Sequence, residues 1–263
     1  MKGGGFIKTF CFTVDDNIRF LKEITERAYE SIFDHPYLDL YRRLHEAFGL
    51  KVQMNLFYRL GNFDLSQVSE RYATEWKENA NWLKLSFHSE KENVKPYESA
   101  DYDTVYADCA KTHREIKRFA SPLSLANTTT IHYCLLTSEG VKAMENNGVF
   151  GLLGLFGTDA APCTSYSLGE DDAGKAREGA ILKQGGISFA SIDIILNLFS
   201  KEEIVKQLEQ LKHRDSIRVM IHEQYYYSDY MAYQPEFEEK LRATFAFLTG
   251  QGYQSAFFED LIS

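Results

Sequence analysis

Six side chains in this 263-residue chain are of the types, and in the places, from which hydrolytic chemistry is built. Asp15 and Asp16 are adjacent carboxylates closing residues 6–16, a run rich in β-branched and aromatic residues that predicts a buried strand. His88 follows the strand-like run 82–87, His132 lies within 128–134, and His222 closes 217–221. Burying an unpaired charge is costly, so the aspartates are expected at an open strand end: in water, on a metal, or capping the helix that begins near Ile18. Imidazole and carboxylate suit zinc or a similar divalent transition metal. A site of that kind with one open position turns water into a nucleophile near neutral pH. Glu92, four residues after His88, shares a face with it if the chain turns helically there, which makes it a further candidate ligand. The remaining histidines, His35, His45, His113 and His213, fall in loops or on helix exteriors and are expected to be solvated.

The elements that must position these groups alternate along the chain. Strand character at 6–16, 52–58, 82–87, 128–134, 149–157, 187–198, 217–221 and 254–258 is separated, for the most part, by helical periodicity. Helices are expected over 18–30, 37–48, 66–79, 101–119, from Thr137 or Ser138 to Asn147, and over 237–248, and Ser200 with Glu203 forms a capping-box pattern that opens another. Gly49 is placed to end the second helix. Residues 158–186 mix Gly, Asp, Ser and Pro with charge and are expected to be an irregular insertion, a small hairpin or a lid. Strand–helix alternation without a repeat period or a Pro/Ser-rich linker predicts one (β/α) barrel domain over 1–263, with seven or eight mostly parallel strands. In such barrels the chemistry sits where strands end.

Composition narrows the partners. Hydrophobic residues at 44% and aromatics at 14% are enough for a large core, and a net charge of −9 argues against nucleic acid and anionic membrane surfaces. Neutral or cationic substrates fit that balance better. The N-terminal segment lacks the apolar run of a signal peptide and no stretch is long enough to span a membrane, so the expected location is cytoplasmic. Cys11, Cys109, Cys134 and Cys163 show no metal or redox spacing and are expected as thiols.

Thr13-Val14-Asp15-Asp16, His88-Ser89 and Val219-Met220-Ile221-His222, in this order on a parallel β/α pattern, resemble motifs of the polysaccharide deacetylase superfamily. The resemblance implies that Asp15 is a catalytic base, Asp16 and His88 are metal ligands and His222 is a general acid. The reaction it implies is metal-dependent hydrolysis of an N- or O-acetyl group, or of a related amide, on a carbohydrate or small-molecule substrate. Val14 stands for the usual Phe, Asn17 for Gly, and Glu92 for the second metal histidine, while the arginine motif is absent. His132 and Glu92 are thus both open as the third ligand. The alternative is a barrel that binds metal or carbohydrate without catalysis. The five Tyr of 225–233 are expected to pack loops or to form a sugar-stacking wall.

Overall fold

The computed structural model describes residues 8–92, 95–157 and 165–262. Phe6 and Ile7 of the expected first strand, Cys163, and residues 158–164 of the expected insertion lie outside them. The chain opens with β1 (Thr9–Asn17), α1 (Arg19–Arg27), α2 (Pro36–Phe48) and β2 (Val52–Phe57). A small hairpin of β3 (Arg59–Leu60) and β4 (Phe63–Asp64) precedes α3 (Ala73–Glu78), β5 (Leu83–Ser89), α4 (Tyr102–Phe119), β6 (Thr128–Thr129), α5 (Ser138–Asn146) and β7 (Gly151–Gly154). Then come α6 (Glu170–Arg177), β8 (Leu182–Gln184), β9 (Ile187–Ser191), β10 (Ile194–Ile195) and α7 (Lys201–Leu211). The chain closes with β11 (Ser216–His222), α8 (Phe237–Gly250), β12 (Gln254–Ser255) and α9 (Glu259–Ile262). Among the described residues no helix is long and apolar enough to cross a membrane.

The main ladders form two sheets. The first runs β10-β11-β1-β2-β5 with β12 beside the start of β1, all in parallel. The second runs β6-β7-β9-β8 and is parallel apart from β8, which returns on β9 as a hairpin. They meet at two places. Leu85 of β5 bridges Leu125, and Ala126 N–H bonds to the Leu85 carbonyl at 2.8 Å. On the other side Ile192 N–H reaches Gly154 O and the next residue, Asp193, reaches Arg218 O, both at 2.8 Å. The fold is therefore mixed α/β with a mostly parallel central sheet, as the strand–helix alternation predicts. The expected single barrel ladder is instead divided between two sheets.

Local chemistry explains where the elements stop. The expected strand 187–198 breaks at Asp193, whose buried carboxylate accepts Arg218 N–H at 2.7 Å and pairs with the Arg214 and Arg218 guanidinium groups. An unpaired charge there would be costly, so the backbone turns to meet its partners. The Ser200–Glu203 capping box opens α7 as expected, and Gly49 ends α2 at φ 64°. The expected helix 66–79 narrows to α3, preceded by tight turns capped by Asp64 and Ser69. Two expected solvated histidines are buried instead. His35 accepts Tyr37 N–H to cap α2 and meets Glu23 at 3.2 Å, while His113 lies on the inner face of α4, 3.5 Å from Cys109 Sγ. Cys11, Cys109 and Cys134 are buried thiols, and burial pushes Cys11 up to about 12.

The strands of the first sheet are two-faced. Phe10, Phe12 and Val14, with Val52, Met54 and Leu56, pack outward among α1, α2 and α8. The alternate positions, Thr13, Asp15, Gln53, Asn55, Ser86 and His88, are buried and polar. That polar inner face leads up to the strand ends.

Candidate metal centre

Asp15 and Asp16 are successive residues, and in a regular strand their side chains would point to opposite faces. A register shift between Val14 and Asn17, with Asp16 in the left-handed region at φ 62°, turns the second carboxylate toward the site. Aspartate tolerates that backbone better than most residues. Neither aspartate caps α1. Its first N–H groups go to Glu223, the residue after His222, whose carboxylate accepts from Ile18, Arg19 and Phe20 at 2.7, 2.9 and 2.9 Å. Glu223 thereby ties the end of β11 to the end of β1.

His132 arrives by a turn. The expected strand 128–134 ends after Thr129, and Tyr133 and Cys134 both take left-handed backbone, at φ 60° and 57°. His132 stands at the head of this turn, facing His88 of β5. Its Nδ1 lies 3.1 Å from Asp16 Oδ1 and 3.1 Å from His88 Nε2, and His88 Nε2 lies 3.0 Å from the same Asp16 oxygen. All three residues are buried. Among the described residues they are the one group of three such side chains close enough to hold an ion together.

The donor set fits a divalent metal. The Thr130 carbonyl, an acceptor only, lies 2.5 Å from His88 Nδ1 and so fixes the proton on that nitrogen. The neutral ring then turns its Nε2 lone pair toward the Asp16 carboxylate and the His132 ring. Converging lone pairs at this spacing repel unless a cation, proton or metal, lies between them. Anchoring one histidine nitrogen on a carbonyl so that the other can ligate is a recurrent device of metal sites. Gln224 Nε2 holds the other Asp16 oxygen at 2.7 Å.

The charges respond to this crowding. Burial alone would raise the Asp16 pKa, yet hydrogen bonds to His132 and His88 hold it well below the usual carboxylate range. Burial disfavours the His88 imidazolium, but Asp15 and Asp16 outweigh it and raise that pKa. Asp15 is raised by burial against the pull of His88 and His222.

The sequence-predicted residues divide as follows. Asp15, Asp16, His88, His132 and His222 all line one cavity of about 290 Å³. Glu92 lines it too, but as an exposed side chain outside the group of three. His222 is paired in register with Asp15, and its Nδ1 lies 2.8 Å from Asn197 Oδ1, which leaves Nε2 for proton exchange. Glu259 pairs with Lys84 and Asn127 N–H at the opposite end of the strands and takes no part in the site. The tyrosines split between roles: Tyr226 packs on Tyr37 and Phe237, while Tyr225 and Tyr230, in edge contact at 5.3 Å, line the cavity. Asn55, Asn197 and Gln224 are site residues not singled out from sequence. For Asn55 the signal is there: Gln53 and Asn55 are polar residues at period two inside an apolar strand.

No protein family and no curated protein sequence matches this chain. Solved structures share its fold. A 4-α-glucanotransferase from Thermococcus litoralis aligns over 97% of this chain at 14% identity and a TM-score of 0.61, and this chain spans 40% of that one. A protein from Mycobacterium smegmatis assigned as a polysaccharide deacetylase aligns over 97% of this chain and 89% of its own at 10% identity, with a TM-score of 0.56. A protein from Enterococcus faecalis assigned to cellobiose-phosphate cleavage aligns over 97% and 98% at 11% identity, with a TM-score of 0.50. These likenesses show a shared α/β fold.

Proposed function

We propose that this protein is a metal-dependent hydrolase that removes an acetyl group, or cleaves a related amide, from a carbohydrate or other small molecule. The observation that carries this reading is the convergence of Asp16, His88 and His132 within 3.1 Å of one another, in a cavity that Asp15 and His222 also line. A divalent cation held by those three, zinc first on the nitrogen and oxygen donor set, would supply a Lewis acid for the scissile carbonyl and for water. Asp15 takes the proton of the attacking water, and His222 Nε2 returns one to the leaving amine or alkoxide. Tyr225 and Tyr230 offer flat faces for a sugar ring. On this reading the two sheets are halves of one distorted (β/α) barrel, meeting at the Leu85–Leu125 bridge and at Ile192–Asp193. The carbohydrate-related names of the three structural neighbours agree with it.

The test is elemental analysis of the wild-type protein beside Asp16→Ala, followed by acetate release from N- and O-acetylated oligosaccharides. Near-stoichiometric metal lost in the variant, together with acetate release, supports the hydrolase. No metal after reconstitution refutes the centre. Metal without acetate release from any substrate identifies a binding protein instead.

A further inference from the structure

We propose that Asn55 is the positioning residue for Asp15, and that the Thr128 carbonyl, at the far end of a buried amide relay, sets the direction in which Asn55 bonds. The inference rests on the reading of Asp15 as proton acceptor given above.

The relay begins at an atom with only one option. A backbone carbonyl accepts and never donates. Gln53 must therefore turn its Nε2 toward Thr128 O, 2.9 Å away, and its Oε1 then accepts the Thr128 hydroxyl at 2.9 Å. The same Nε2 group carries a second hydrogen to Asn55 Oδ1 at 2.8 Å. Ser86 Oγ donates to that oxygen as well, at 2.5 Å. With two donors on its oxygen, Asn55 presents Nδ2–H to Asp15 Oδ1 at 2.6 Å. Asp15 Oδ2, 4.0 Å from His88 Nδ1, is the oxygen left to receive a proton.

Gln53, Asn55, Ser86 and Thr128 are each at most 1% exposed and none lines the cavity, so water cannot substitute for a lost partner within the relay. Reversing one amide in such a network sets donor against donor or acceptor against acceptor, a costly outcome in a low-dielectric interior. The apolar side chains a strand core would normally prefer at Gln53 and Asn55 would hold the sheet together equally well. What they could not do is orient a carboxylate.

Two measurements test this. In side-chain amide NMR, the Asn55 signal is identified by its absence from Asn55→Asp; the wild-type signal should lie downfield and move upfield in Asp15→Ala. In kinetics on an acetate-releasing substrate, Asn55→Asp should lower kcat about 100-fold with KM changed by less than about twofold, the pattern of a misplaced reacting group. Gln53→Glu, which does not touch Asp15, should reproduce that split, which a merely structural residue would not. An Asn55 signal indifferent to Asp15→Ala, or wild-type kcat in Asn55→Asp, overturns the proposal. If the wild-type protein releases no acetate, the hydrolase reading fails while the amide signal still decides the relay.

Discussion

The clamp made by Glu223 gives a prediction whose sign is unusual for a helix cap. Its carboxylate is fully buried and accepts three backbone N–H groups at the start of α1. Burial pushes its pKa up from 4.5 to about 7, against the pull of Ile18, Arg19 and Phe20 N–H. Because the folded value is raised, the folded state keeps a proton that the unfolded chain has already lost. The contribution to stability is fully present below pH 4.5 and is lost as pH rises through about 7. At about 1.4 kcal/mol per pH unit, the span amounts to about 3 kcal/mol. Urea denaturation of wild type and Glu223→Gln across that range measures it, since the amide cannot ionise but keeps an acceptor oxygen for the helix. The wild type should lose about 3 kcal/mol relative to the variant as pH rises. Parallel curves would show that Glu223 does not titrate in this window. A difference of opposite sign would show that the three N–H bonds outweigh burial.

Three further outcomes follow from the geometry. Asp16→Ala and His88→Ala should each abolish divalent-metal binding by calorimetry with the fold retained by circular dichroism, and His132→Ala should weaken it more than Glu92→Ala; the reverse order would give the third position to Glu92. His113 is buried, chiefly for that reason its pKa is lowered from 6.5 to about 4, and its neutral form contributes stability present above pH 6.5 and lost as pH falls through 4. His113→Leu should therefore remove about 3 kcal/mol of acid sensitivity between those values, and urea curves of equal pH dependence in both proteins would contradict it. Gly154→Ala would set a Cβ 2.7 Å from the Tyr166 ring and 3.1 Å from Ser165 Cβ. Tyr166 is pinned by Leu153 O and Ile131 N, so the substitution should cost about 1–3 kcal/mol in chemical denaturation, and an unchanged midpoint would mean that the ring yields.

What the chain determines by itself is the alternation of strands and helices, and with it the places where Asp15, Asp16, His88 and His222 emerge. Those features follow from side-chain periodicity and from the cost of burying charge, both of which are local. The Ser200–Glu203 cap and the Gly49 stop are legible for the same reason. Tertiary structure alone decides which ligand-type residues meet. Glu92 is as eligible as His132 by spacing from its strand, yet His132, at the head of the left-handed turn at Tyr133 and Cys134, meets Asp16 and His88, while Glu92 stays exposed at the cavity wall. The Asp193 ion cluster that breaks the expected strand 187–198, the Glu223 clamp across 203 to 205 residues of sequence, and the Asn55 relay are equally beyond local pattern. Each is a buried polar contact between distant segments, and such contacts form only when packing has removed water from both partners.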